Sequence, residues 1–119
     1  MSDSHTLGDL LFARDALAAL VEQLRAEALG EDALAIASVG RLQIRIDAAD
    51  ALLARAGRSS AAAVEARLAA AEAARLASEL QVELLGQSLP RPSPAARETP
   101  LQHQRRQLGD HYLNGTAPA

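Results

Sequence analysis

The sequence predicts an all-α protein: an antiparallel up-down bundle of three long helices, followed by a Pro-rich linker and a short C-terminal tail. Apolar residues recur at three- and four-residue steps along three stretches, and a glycine follows each stretch. Val, Ile and Thr never form the alternating runs typical of strands. Short glycine-marked joints between long amphipathic stretches favour neighbouring helices that run up and down.

The first helix is predicted over about residues 10–29, after a flexible N-terminus at residues 1–8. Asp9 is the predicted N-terminal cap and Gly30 the C-terminal stop signal. One apolar stripe predicts the buried face: Leu10, Ala13, Leu17, Leu20, Leu24 and Ala28.

The second helix is predicted over about residues 33–56, with Asp32 as its N-cap and Gly57 beyond its end. Its stripe follows 3-4-3-4 spacing: Val39, Leu42, Ile46, Ala49 and Leu53. Gly40 lies inside this helix, where glycine costs up to ~1 kcal/mol relative to alanine. We therefore expect another helix to cross close to Gly40.

The third helix is predicted over about residues 61–85, after Ser59-Ser60 and before Gly86. Its predicted buried stripe consists of Ala69, Ala73, Leu76, Leu80 and Leu84. Its charged residues are predicted to form a solvated surface: Glu65, Arg67, Glu72, Arg75, Glu79 and Glu83. The bundle domain is thus expected to span residues 9–86.

Residues 87–119 are predicted to be a Pro-rich linker and tail. Four prolines between residues 90 and 100 favour an extended linker over a helix. A short helix is predicted over residues 102–108, ended by Gly109, and Asn114-Gly115 is a turn signal.

Composition excludes several classes of protein. The 119 residues suffice for one domain, and the absence of cysteine excludes thiolate metal sites and makes the cytoplasm the expected compartment. The net charge is −3 and no basic cluster is present, so we do not expect nucleic-acid binding. The sequence has no apolar run of the ~20 residues that a membrane-spanning helix needs, so we do not expect a membrane span. The start shows no signal-peptide pattern. His5, His103 and His111 lack metal-ligand spacing, and no catalytic motif is present.

Two segments resemble a known family in their order along the chain. Residues 30–58 contain an acidic pair, then Val39-Gly40, then a helix ending in Ala-x-x-Leu-Leu-x-Arg-Ala, and residues 108–118 read "LGDHYLNGTAP". Together with residues 64–86, these resemble the C-terminal helical domain of acyl-CoA dehydrogenase-like flavoproteins, in the branch of dibenzothiophene monooxygenase and the sulfur-acquisition oxidoreductases. The resemblance implies that residues 108–118 correspond to the terminal turn of the family, which follows a segment that contributes to the family's active site (the active-site strip).

The resemblance implies flavin-dependent oxidoreduction with FAD or FMN, in which this chain is a truncated and catalytically incomplete scaffold. Arg97 matches the family's active-site strip and His103 stands where the family has an aspartate, so both are candidate cofactor-binding residues. The family histidine falls on Gln102, which cannot act as an imidazole base, so no catalytic residue is assigned. The implied partners are the missing flavin-binding domains or further copies of this chain.

Two alternatives remain open at this point. The flavoprotein scaffold is the leading hypothesis. The chain is also compatible with a free-standing helical oligomerisation or interaction module without enzymatic activity, because three helices often leave one apolar stripe for a partner to cover. It is also compatible with a decayed gene product that has no selected role.

Overall fold

The computed structural model of the chain describes residues 2–86 and 101–116, with side chains from residue 5 onward. Helices dominate the described residues, which contain no strand: α1 (Ser2–Ala26), α2 (Ala33–Ala54), α3 (Ser60–Leu85) and α4 (Leu101–Asn114). A 3₁₀ turn, Ala56–Arg58, joins α2 to α3. The prediction of an all-α protein is confirmed, and a fourth helix longer than predicted is added to it.

Local capping explains where α2 and α3 begin. The Asp32 side chain accepts a hydrogen bond from the Ala35 amide at 2.9 Å, and Ser59 accepts one from the Ala62 amide at 3.0 Å. Each bond satisfies a donor that the first helical turn leaves without a partner. Gly86 ends α3 in the left-handed conformation, with φ of 74°. The predicted N-cap at Asp32 and the predicted end of the third helix before Gly86 are confirmed, and the capping role of Ser59 is added by the structure.

The first helix differs from its prediction at both ends. It begins at Ser2, so the segment predicted as a flexible N-terminus forms its first turns. Asp9 is not the cap, because its side chain is buried against α3. At the other end Ala28 adopts the left-handed conformation, with φ of 59°, and Gly30 does not. This conformation costs an alanine roughly 1–2 kcal/mol.

The core lies between α1, α2 and α3, and α3 contacts each of the other helices. Twelve of the twenty buried hydrophobic residues are alanines, eight of them on α3. Small side chains let neighbouring helices approach closely. Most predicted stripe residues are buried or partly buried in this core, whereas Ala28 is exposed.

A buried ion pair joins α1 to α3. The Arg67 guanidinium donates to the Asp9 carboxylate at 2.8 Å, and these side chains are only 2% and 4% exposed. The prediction that Arg67 lies on a solvated face is therefore wrong, because Asp9 offers it a buried counter-charge. Both desolvated groups depend on each other, since a buried charge without a partner is strongly destabilising.

We expect Arg67→Met to lower the free energy of unfolding by about 3–5 kcal/mol, because it leaves the Asp9 carboxylate buried without its cation. The double variant Asp9→Leu with Arg67→Met should recover most of that loss, since it removes both charges. Urea unfolding followed by circular dichroism measures the change.

Arg14→Met is the matched control, because Arg14 forms an exposed pair with Asp50 at 2.8 Å. Exposed pairs contribute about 0–1 kcal/mol, so this variant should unfold almost like the unmodified chain. An equal loss in both single variants would contradict the role assigned to the buried pair.

Candidate functional site

A groove lies between α1 and α2, and its lining residues belong to these two helices and to the turn that joins them. Two cavities, of about 200 Å³ and 500 Å³, share Val21 and Val39 and form one continuous depression. Its apolar lining comes from both helices: Leu17, Ala18, Val21, Leu24, Leu29, Ala35, Ile36, Val39 and Ile46. The charged side chains that line the groove are Arg14, Arg25 and Asp47.

A second apolar stripe on α2 adjoins this groove. Ile36, Gly40 and Ile44 follow one another at four-residue steps, opposite the stripe that α2 buries. Ile36 is 57% exposed and Ile44 is 69% exposed. Exposed alanines widen the stripe at Ala33, Ala37, Ala48 and Ala51. The helix thus has two apolar faces, and the bundle covers one of them.

The neighbouring flank of α1 is also apolar. Leu7 and Leu11 are about half exposed, and Ala18 lies one heptad after Leu11 on the same side of the helix. We call the groove together with these two exposed stripes the α1–α2 face. A surface of this kind marks an interaction site when its apolar residues are contiguous.

Gly40 lies in the middle of the exposed stripe on α2. A Cβ atom built at Gly40 meets nothing within 4 Å in this chain. The predicted close crossing therefore does not occur among the described residues. The cost of glycine inside a helix remains without an explanation within the bundle.

A separate charged cluster lies where α4 packs on α3. The Glu72 carboxylate accepts hydrogen bonds from Arg75 at 2.9 Å and from Arg105 of α4 at 3.1 Å, and Arg45 of α2 lies 3.9 Å away. The hydrogen bond from Arg75 is the largest cause that lowers the pKa of Glu72 below its ordinary value of 4.5. Glu72 therefore connects three helices through one carboxylate.

Other contacts of α4 are also polar. The Tyr112 hydroxyl donates to Glu65 of α3, and this hydrogen bond is the first cause that raises the pKa of Tyr112 above 10.0. Gln104 is buried, yet its Oε1 atom has no hydrogen-bond partner among the described residues. An unsatisfied buried acceptor costs about 1–3 kcal/mol, while exposed ion pairs return about 0–1 kcal/mol each.

The structure corrects the prediction for the C-terminal segment. The helix does not end at Gly109 but continues to Asn114, so most of "LGDHYLNG" is helical. Thr116 closes the end by donating to the Asp110 carboxylate at 2.6 Å, and Asn114 donates to the same side chain at 2.7 Å. These bonds lower the pKa of Asp110 below its ordinary value, with Thr116 as the larger cause.

The two candidate flavin-binding residues are not brought together by the described structure. Arg97 lies outside the described residues, and His103 is exposed on α4. Neither of the two cavities is lined by His103, and both have mainly apolar linings. These two cavities therefore do not connect His103 with a flavin site, and the flavin stays a prediction of the resemblance. No group of His, Asp or Glu among them could hold a metal ion.

Comparison with protein-family models, with curated proteins and with solved structures finds no match to this chain. None of the described helices has the length and apolar character needed to cross a membrane. The functional argument therefore depends on the two surfaces described above, of which the α1–α2 face is the more apolar.

We expect the carboxyl carbon of Glu72 to titrate in NMR with a midpoint below 4.5, because its arginine partners stabilise the charged form. Its contribution to stability is then fully present above the pKa of the unfolded chain and is lost as the pH falls through the lowered pKa. Arg75→Gln should raise the midpoint more than Arg105→Gln does, and the reverse order would contradict the assigned causes.

Proposed function

We propose that this chain is a helical oligomerisation module that pairs with a second copy of itself through the α1–α2 face. The observation that carries the proposal is the exposed Ile36–Gly40–Ile44 stripe, which lies opposite the stripe that α2 buries. A glycine in the middle of such a stripe allows a partner helix to cross closely. A partner at this face would account for a residue that nothing inside the bundle requires.

The size of the face fits a small homodimer. Two neighbouring helices of about 10 Å diameter and ~33 Å length give a footprint of about 650 Å². A standard protein interface uses roughly 800 Å² per partner. The footprint is therefore sufficient for a weak, concentration-dependent dimer.

The free energy of association also indicates a weak dimer. Ile36, Ile44 and Leu11 are each about half to two-thirds exposed. Burying the rest of these side chains on two copies contributes about 5–10 kcal/mol. Association itself costs about 4–15 kcal/mol in lost translational and rotational freedom. At the favourable ends of both ranges about 6 kcal/mol remains, which corresponds to a dissociation constant of tens of micromolar or weaker.

The charges on the face allow self-association. Arg14 forms a pair with Asp50 at 2.8 Å, and Asp47 accepts a hydrogen bond from Gln43 at 2.9 Å. Arg25 adds one further cation to the groove. Since both signs are present on the same face, two copies can approach without a single-sign field that repels them.

An up-down course of the three long helices belongs to the same proposal. Arg14, in the middle of α1, pairs with Asp50 near the end of α2. Arg25, near the end of α1, lines one cavity with Ile36 near the start of α2. Together these contacts support opposite directions. The pair between Asp9 and Arg67 joins early parts of α1 and α3, which supports a shared direction.

The flavoprotein resemblance offers a second candidate for the partner of the α1–α2 face. In that version the face packs on a flavin-holding body supplied by another polypeptide, and this chain adds scaffold alone. The order of Val39-Gly40 and residues 108–118 favours it. Titration with FAD and FMN, followed by flavin absorbance after gel filtration, tests whether the isolated chain retains either cofactor.

We expect Ile44→Glu to weaken the dimer at least tenfold, because it places a carboxylate in the centre of the apolar stripe. Sedimentation equilibrium from micromolar to near-millimolar protein measures the dissociation constant. The variant should keep the circular dichroism and thermal midpoint of the unmodified chain, since Ile44 does not belong to the core.

Val82→Glu is the matched control, because Val82 is 55% exposed on α3, outside the α1–α2 face. This variant should dimerise like the unmodified chain. A chain that stays monomeric at all concentrations, or a control that dissociates as readily as Ile44→Glu, would refute the proposed interface.

A further inference from the structure

Helix α4 is held to the bundle differently from the other three helices. Among the described elements it contacts α3 alone, and Gln104 is its one buried residue. The remaining helices bury apolar stripes in the common core. Most of the residues that follow Leu101 in α4 are polar or charged. Leu101 and Leu108 are partly buried but do not belong to the common core, so hydrophobic burial contributes less to the attachment of α4 than to that of the other helices.

The contacts that hold α4 are exposed to solvent and ionic strength. Arg105 is bonded to Glu72 at 3.1 Å, and Tyr112 is bonded to Glu65, both at exposed positions. Salt screens such pairs, because the Debye length falls from about 30 Å at 0.01 M to about 3 Å at 1 M. The buried Gln104 opposes docking, since its Oε1 atom lacks a partner among the described residues.

The end of α4 is closed by its own residues and not by α3. His111 shares a hydrogen bond with the Thr116 carbonyl at 2.8 Å, and Thr116 also donates to Asp110. A helix of 14 residues is nevertheless marginal in water without tertiary support. A released α4 would therefore lose most of its helical protection, which makes release measurable.

We infer that α4 is a reversibly docked strap, which leaves α3 while α1, α2 and α3 stay folded, and that the contact between Arg105 and Glu72 controls the release. When α4 undocks, the part of α3 between Glu65 and Glu72 becomes exposed to solvent. This surface is distinct from the α1–α2 face, so the inference stands independently of the proposed dimer. Local opening of weakly held segments below the global unfolding energy is a general property of proteins.

Hydrogen exchange on the full chain tests the inference. Amides of residues 101–116 should exchange faster than those around Leu76 and Leu80 at low salt, and about two- to fivefold faster again in 0.5 M NaCl. Core amides of α3 should keep their rates across the same change. Exchange of α4 at the rate of the α3 core, or without response to salt, would overturn the inference. Exchange at the unfolded rate already at low salt would overturn it as well, because α4 would then not be docked.

Matched variants distinguish the effect of the Arg105–Glu72 contact on exchange from the effect of removing any surface charge. Glu72→Gln and Arg105→Gln should each speed exchange of residues 101–116 about two- to fivefold. Glu79→Gln removes an equal charge from the same helix, but its partner is Arg75 and not α4, so it should leave these rates unchanged. Arg105→Gln guards against a folding defect, because Arg105 lies outside the three-helix core. Equal effects of all three variants, or no effect of any of them, would refute the inference that the Arg105–Glu72 contact controls the release of α4.

Discussion

The ion pair between Asp9 and Arg67 fixes how α1 lies on α3. Most buried hydrophobic residues in the described part of the chain are alanines, and one alanine fills a position much as the next does. A slip of one helical turn, about 5.4 Å, would therefore change the apolar contacts little. The same slip would separate two desolvated charges that bond each other at 2.8 Å. A core of small residues thus obtains its register from a polar contact, while its few large aliphatic residues supply most of the hydrophobic free energy.

Much of the fold could be predicted from the sequence, because its signals are local. Asp32, Ser59 and Gly86 act as caps through bonds within their own turns, and the core stripes follow from helical spacing. The start of α1 was predicted wrongly, because Asp9, the predicted cap, lies inside the helix and bonds Arg67 of α3. The burial of Arg67 depends equally on a residue 58 positions away. Gly109 was a misleading stop signal, because α4 continues through it.

The candidate surfaces show a different limit of what can be predicted from the sequence. Ile36, Gly40 and Ile44 stand at helical spacing in the sequence, but spacing alone does not say which of two apolar faces of α2 points inward. The structure assigns the inner face to Leu42 and Ile46, which leaves the other stripe exposed. Glu72 gave no sequence signal beyond its charge, since its partners come from three helices. The family resemblance directed attention to Arg97 and His103; Arg97 lies outside the described residues, and His103 is exposed and lines neither of the two cavities of the groove.

The placement of the two aromatic rings other than histidine has a consequence for optical work on this protein. The sole tyrosine is solvent-facing on α4, while the sole phenylalanine is buried in the core, and the chain has no tryptophan. Near-ultraviolet absorption and emission therefore arise almost entirely from the periphery of the molecule. A melting curve recorded at these wavelengths describes the environment of one phenol ring, whereas a far-ultraviolet curve describes the backbone of the whole bundle. The two curves need not coincide, even for a core that unfolds in a single cooperative step.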